Sequence, residues 1–252
     1  MKSNYRYIVK AFMAMAVIAG TTSCDDFLDR EPMSSISPET YYSTAAQLEA
    51  NLNDEYPNVL PSFGQWTYGI FGEDKGTDNQ IEVNANDRYT QDRWKVPHSE
   101  SDNWKFERIY RINFFLSEAL PKFGEDMSGS QNTISGSVAT IKHYIGEMYF
   151  LRAYEYFKKL QLFGDFPIID QPLADEMEAL REASKRFPRN EVARFIISDL
   201  DKAYAYMSDV DMATTRINKD AAMLVKSRVA LFEATWLQNF KGTAFVPGGE
   251  GW

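Results

Sequence analysis

Few residues in this chain are of a type and spacing to do chemistry. Glu73, Asp74 and Asp78 form an acidic cluster. Two carboxylates can serve as acid and base on a glycosidic bond at separations of ~5–5.5 Å or ~6.5–9.5 Å, and linear spacing does not set that separation. The same oxygens suit calcium, yet the cluster lacks the ligand spacing of an EF-hand loop. A solvated acidic loop is the plainest reading. His143 and Glu147 stand four apart, which puts them on one face of a helix. No second histidine nearby completes a zinc-protease pattern, so the pair is expected as a polar pair on a helix surface. Gly242-Thr243 is followed by no lysine-serine pair of a phosphate-cradling loop, and no Gly-x-Ser-x-Gly elbow occurs. No catalytic residue, metal site or cofactor is assigned.

Binding is better served than catalysis. Residues 57–101 are rich in turn formers, among them Pro57, Pro61, Gly64, Gly69, Gly72, Gly76 and Pro97. Trp66, Tyr68, Phe71, Tyr89 and Trp94 sit among them. A long irregular stretch of this kind is usually functional or mobile. An aromatic face can pack on the C–H face of a pyranose ring, while flanking polar groups meet its hydroxyls. On composition alone, the candidate ligand contacts are Trp66, Asp78, Asn79, Arg93 and Trp94. The alternative is that these aromatics pin the loop to the core.

The elements that must position such a loop begin after Cys24, the single cysteine of the 252 residues. Lys2, Arg6 and Lys10 make a basic start, Ala11 to Gly20 is a short apolar run, and Thr21-Thr22-Ser23 are small. That is the three-part pattern of a signal peptide over 1–23, too short in its apolar part to span a bilayer. Small residues before a lone cysteine resemble a bacterial lipoprotein processing site, although Thr21 stands where leucine is usual. In such proteins the cysteine carries acyl chains such as palmitate. Several chains together give stable anchoring, each buried methylene adding ~0.8 kcal/mol. One cysteine also precludes an internal disulfide.

The formal net charge is -9, and the leader's three cations leave the body more acidic still. Phosphate backbones should be repelled, so nucleic acid is not an expected partner. Hydrophobic residues make up 44% of the chain, enough for a sizeable core.

The expected layout is a leader over 1–23, an acidic tether over 24–36 and one helical domain over 37–252. Ser37-Pro38 opens a helix that ends near Tyr56-Pro57. A second runs from Asp102 to Phe123, with Ile109, Ile112, Leu116 and Ala119 on one face. The third, about Ser137 to Phe163, carries two apolar stripes and should be central. Gly164 caps its end. Phe166 to Ile169 reads as extended, a short strand or hairpin edge. Leu173 to Arg186 is a charged surface excursion, partly helical. Asn190 and Asn218 cap two further helices. The loop from Gly242 to Gly249 ahead of Trp252 suggests a piece of a longer protein. The fold class is all-α, stacked helical hairpins of tetratricopeptide type without a strict repeat, with long loops and at most a short hairpin.

Several stretches carry a resemblance. Cys24-Asp25-Asp26-Phe27-Leu28-Asp29, Trp104 with Tyr110, Ile112 and Asn113, and Ile197-Ser198-Asp199-Leu200 agree with it. So do Gly146-Glu147-Met148-Tyr149-Phe150-Leu151-Arg152-Ala153-Tyr154-Glu155-Tyr156-Phe157, Phe163-Gly164-Asp165-Phe166-Pro167-Ile168, and Arg216-Ile217-Asn218-Lys219-Asp220-Ala221-Ala222. Together they resemble the RagB/SusD family of nutrient-uptake lipoproteins. The resemblance implies a lipid-anchored outer-membrane protein facing the cell exterior. It implies capture of oligosaccharides, or peptides in some members, for delivery to a SusC-like TonB-dependent transporter, without cleavage. It gives Gly146 and Ala153 the structural task of letting helices approach closely. Two competing readings are a helical scaffold for protein partners only and a surface glycosidase using Asp74 or Asp78. Full family members are roughly twice as long, so helices here are expected to leave apolar faces exposed.

Overall fold

The computed structural model describes residues 41–61, 103–124, 126–208 and 215–252. The leader, the tether, Ser37-Pro38 and nearly all of the aromatic loop lie outside them. Within the described residues the chain forms six helices and no strand: α1 (Ala45–Val59), α2 (Glu107–Phe123), α3 (Val138–Phe163), α4 (Met177–Ala183), α5 (Arg189–Tyr206) and α6 (Lys219–Asn239). The mainly helical class expected from sequence is what is found.

Helix α3, of 26 residues, is central. It packs against α1, α2 and α5, and α5 in turn packs against α6. Both stripes expected on it are buried: Ile141, Ile145, Met148 and Leu151, then Tyr149, Ala153, Tyr156 and Leu160. Ser137 caps its start by accepting from Thr140 N–H, and Gly164 ends it at φ 70°, a conformation side chains resist. Gly146 sits where α5 ends. A Cβ built there would stand 2.8 Å from the Met207 nitrogen and 2.9 Å from the Ala203 carbonyl oxygen. Hydrogen sets the separation of α3 from the end of α5.

Several boundaries differ from expectation, each for a physical reason. Helix α1 starts after Thr44, whose hydroxyl accepts from Gln47 N–H while the Gln47 side chain accepts from Thr44 N–H. It runs past Pro57 to Val59, because a proline in the last turn removes one donor, and Leu60 N–H still reaches the Tyr56 carbonyl. Helix α2 starts at Glu107 rather than Asp102. Trp104 and Phe106 are drawn instead into an aromatic cluster, with Trp104 4.8 Å from both Phe163 and Phe166, and Phe106 stacked 5.2 Å from Phe166. Helix α5 is not capped by Asn190. The Asp165 carboxylate, from the turn after α3, accepts from Arg189 N–H at 2.8 Å. The extended stretch after Gly164 makes a single antiparallel bridge, Phe166 to Phe187, rather than a strand. The excursion expected over Leu173 to Arg186 contains α4, which has no buried residue. Asn218 caps α6 as expected, accepting from Ala221 N–H.

Candidate functional site

Cys24, Trp66, Asp78, Asn79, Arg93 and Trp94 all lie outside the described residues, as do Glu73 and Asp74. The described residues do show how the aromatic segment is rooted. At one root α1 ends, and the Val59 carbonyl accepts from Lys158 Nζ. At the other, the Asn103 carbonyl accepts from Lys159 Nζ at 2.7 Å. Two consecutive lysines of α3 thus hold Val59 and Asn103, the described residues on either side of 62–102.

A cleft of about 330 Å³ opens beside the second root, lined by Lys105, Glu107, Arg108, Glu155, Lys158 and Lys159 among others. Glu155 organises it. Its buried carboxylate stands 3.2 Å from Lys159 Nζ, 3.8 Å from an Arg108 nitrogen and 3.9 Å from Lys158 Nζ. Its Oε2 receives no hydrogen bond from a described residue. Lys158 also lies over the Tyr154 ring, 5.4 Å from its centroid. Helix α2 begins at the cleft without a side-chain cap, so its first N–H groups add partial positive charge. The arrangement gathers Arg108, Lys158 and Lys159 around one buried carboxylate.

Sequence reasoning passed over this cleft. Adjacent residues on a helix point about 100° apart, so the Lys158-Lys159 pair did not read as one site. Only packing shows that both reach residues bordering the same segment. The one available signal was the cluster of Lys105 and Arg108 around the start of α2.

The polar pair expected on a helix surface is buried instead. His143 is 1% exposed, and Glu147 is fully buried. His143 Nδ1 accepts from Ser208 N–H at 3.2 Å, which assigns the ring proton to Nε2, 3.0 Å from both the Ile217 carbonyl and Glu147. Tyr56 Oη donates to Glu147 at 2.6 Å, and Arg216 donates twice, at 2.8 and 2.6 Å. This cluster ties α1, α3 and the entry to α6 together. Arg152 braces another seam, donating to Asp199 at 2.6 and 2.8 Å, to Asn113 at 2.9 Å and to the Asp170 carbonyl at 2.9 Å. Arg189 pairs with Glu233 at 2.9 Å and lies 4.0 Å from the Trp236 ring centroid. Among the described residues no three His, Cys, Asp or Glu side chains converge as metal ligands would.

A second cleft, also about 330 Å³, lies at the end of α3 and includes Arg186, Trp236, Phe245 and Trp252. A third, about 230 Å³, is mostly apolar and includes Phe106, Tyr110, Leu173 and Leu180.

A SusD-like family model, described as starch-binding and associating with the outer membrane, matches residues 26–231. Two curated relatives come from Formosa agariphila. SusD-like protein P2 is 25% identical over 97% of this chain and 46% of its own length. SusD-like protein P25 is 25% identical over 85% of this chain and 41% of its own length. The chain therefore spans less than half the length of these relatives. Among solved structures, a SusD-like carbohydrate binding protein from Bacteroides fragilis aligns with TM-score 0.51 at 19% identity, over 80% of this chain and 40% of that one. A second SusD-like protein from the same species aligns with TM-score 0.50 at 19% identity, over 84% and 40%. These two likenesses concern the fold.

Proposed function

The chain belongs to the SusD-like family, and from that premise we propose that it is a cell-surface lipoprotein that captures oligosaccharides and delivers them to a SusC-like TonB-dependent transporter. The observation that carries this reading is the family match across residues 26–231, described as starch-binding and outer-membrane associated. Acyl chains on Cys24 hold the protein on the outer membrane facing the exterior, after removal of 1–23. Trp66 and Trp94 stack on sugar rings, while Asp78, Asn79 and Arg93 meet hydroxyls. The anchoring to α3 of Val59 and Asn103, which flank residues 62–102, supports the reading, since a binding loop gains precision from a rigid base. The protein binds and releases; it does not cleave.

Two measurements in the native bacterium test the anchor and the delivery partner. Radiolabelled palmitate enters the wild-type protein and not Cys24→Ser, and a β-barrel of the TonB-dependent class copurifies with the tagged protein. Equal labelling of Cys24→Ser would remove the anchor, and absence of any barrel would remove the delivery role.

A further inference from the structure

We propose that the cleft at the end of α3 binds one neutral pyranose unit of the captured oligosaccharide, through residues other than those proposed within 62–102. The inference deepens the oligosaccharide-capture reading and rests on it. Its basis is a set of side chains that the fold leaves uncommitted around one cavity. Gln161, Asp165, Arg186, Trp236, Phe245 and Trp252 all line it. The Gln161 amide and the Arg186 guanidinium make no hydrogen bond or ion pair with a described residue. Asp165 Oδ1 accepts from Arg189 N–H at 2.8 Å, and its Oδ2 accepts from no described residue. Arg186 lies over the Trp104 ring, 4.7 Å from its centroid, which braces one face of the planar fork and leaves its N–H edge open.

The aromatic side of the cleft is built by the turns that follow α6. Trp236 Nε1–H donates to the Phe245 carbonyl at 3.1 Å, tying those turns to the helix. Buried Val246 roots them, and Glu250 N–H closes them on the Gly242 carbonyl at 3.1 Å. They present Phe245 and Trp252 at 62% and 54% exposure. One face of Trp236 is taken by Arg189, whereas the Trp252 indole has no ring contact with a described residue. A free indole at the edge of a concave site offers a flat apolar face to the C–H side of a pyranose. Gln161, Asp165 and Arg186 between them donate and accept, as the sugar hydroxyls require. The lining side chains carry no charge surplus: Asp165 stands against Arg186, and Arg189 is paired with Glu233 at 2.9 Å. A neutral ring is therefore favoured over an anionic sugar or a lipid headgroup. At about 330 Å³ the cleft lies at the small end of ligand sites, about 300–1,000 Å³, with room for one sugar unit rather than a chain.

The test is titration calorimetry on the full chain kept in solution by Cys24→Ser. The probes are malto-, laminari-, xylo- and galacto-oligosaccharides, and the one that binds wild type most tightly is carried forward. Its affinity should fall about tenfold in Trp252→Ala and about tenfold in Gln161→Ala/Arg186→Ala, the size of one or two lost contacts. It should be unchanged in Leu224→Ala, an exposed control on α6, and the same at low and high salt. A fluorine label on tryptophan gives a second reading that needs no destabilising variant. The resonance missing from Trp252→Phe should shift when the wild type is saturated with the probe. Unchanged affinity in both cleft variants, or a Trp252 resonance that does not move at saturation, overturns the inference and leaves oligosaccharide capture standing. Affinity that falls steeply with salt also overturns it, in favour of a charged ligand. Binding to none of the four probes overturns both readings.

Discussion

Arg152 shows what a single side chain does in this molecule. Its guanidinium is held between the Tyr149 and Phe195 rings, 5.3 and 5.2 Å from their centroids, and grips a fully buried Asp199. Burial works against its charge, and Asp199 more than restores it, so its pKa lies above the ordinary arginine value. Removing one partner leaves the other charge buried. Arg152→Met should therefore cost about 3–5 kcal/mol in urea unfolding, and adding Asp199→Leu should recover most of that. A loss below 1 kcal/mol would mean that Lys202, 3.8 Å from Asp199, takes over the pairing.

Glu55 makes the opposite case. It occupies the core stripe of α1 with Leu48, Leu52 and Val59. Burial raises its pKa above the ordinary value of 4.5 despite Arg111, whose Nε is 2.6 Å away. A carboxyl raised on folding contributes stability below its unfolded pKa and loses it as pH rises through the folded value. Glu55→Gln should thus be more stable than wild type at pH 7, with the gap closing towards pH 4. Thermal unfolding across that range checks the sign. Neither role was legible in the sequence. Glu55 falls in the apolar stripe of α1 and His143 in neither stripe of α3, and the groups that meet them, Arg111, Ser208 and Ile217, are brought in by other elements.

At the scale of elements, apolar spacing carried most of the information. The faces of α2, α3 and α5 follow it closely because burial of those stripes is what each helix is for. Starts and ends were harder. Asn190 has the right chemistry for a cap, but the Asp165 carboxylate does that work across 24 residues of sequence. Trp104 and Phe106 sit inside an acceptable helical pattern and leave it for an aromatic cluster. Gly146 is an element-scale residue, since it fixes how near α3 lies to the end of α5. Gly146→Val should destabilise by about 1–3 kcal/mol or more by overpacking. Gly164→Ala should also cost stability, through backbone strain at φ 70° rather than through contact. Met207→Ala removes only the Met207 Cγ contact and leaves both backbone contacts, so it should not rescue Gly146→Val. Denaturant titration of the single and double variants reads this directly.

At the scale of the whole molecule, α6 presents Met223, Leu224 and Leu231 to solvent, the last two 72% and 66% exposed. Exposed apolar faces were expected from the resemblance to longer proteins. Composition points to an aromatic, polar loop as the proposed binding element, with Trp66 and Trp94 as its proposed stacking residues, all outside the described residues. What composition does not convey is that α3 holds Val59 and Asn103, or that a cleft lined by Lys105, Arg108, Lys158 and Lys159 opens beside Asn103. Those facts depend on which way Lys158 and Lys159 point once α3 is packed on three sides. The most direct measurement is affinity electrophoresis of the full chain through gels containing starch and a panel of other glycans. Retardation in at least one glycan, lost when Trp66 and Trp94 are both replaced by alanine, is the predicted result. Unretarded migration through every glycan, with transporter association intact in the double variant, would contradict glycan capture and favour a scaffold that binds protein partners alone.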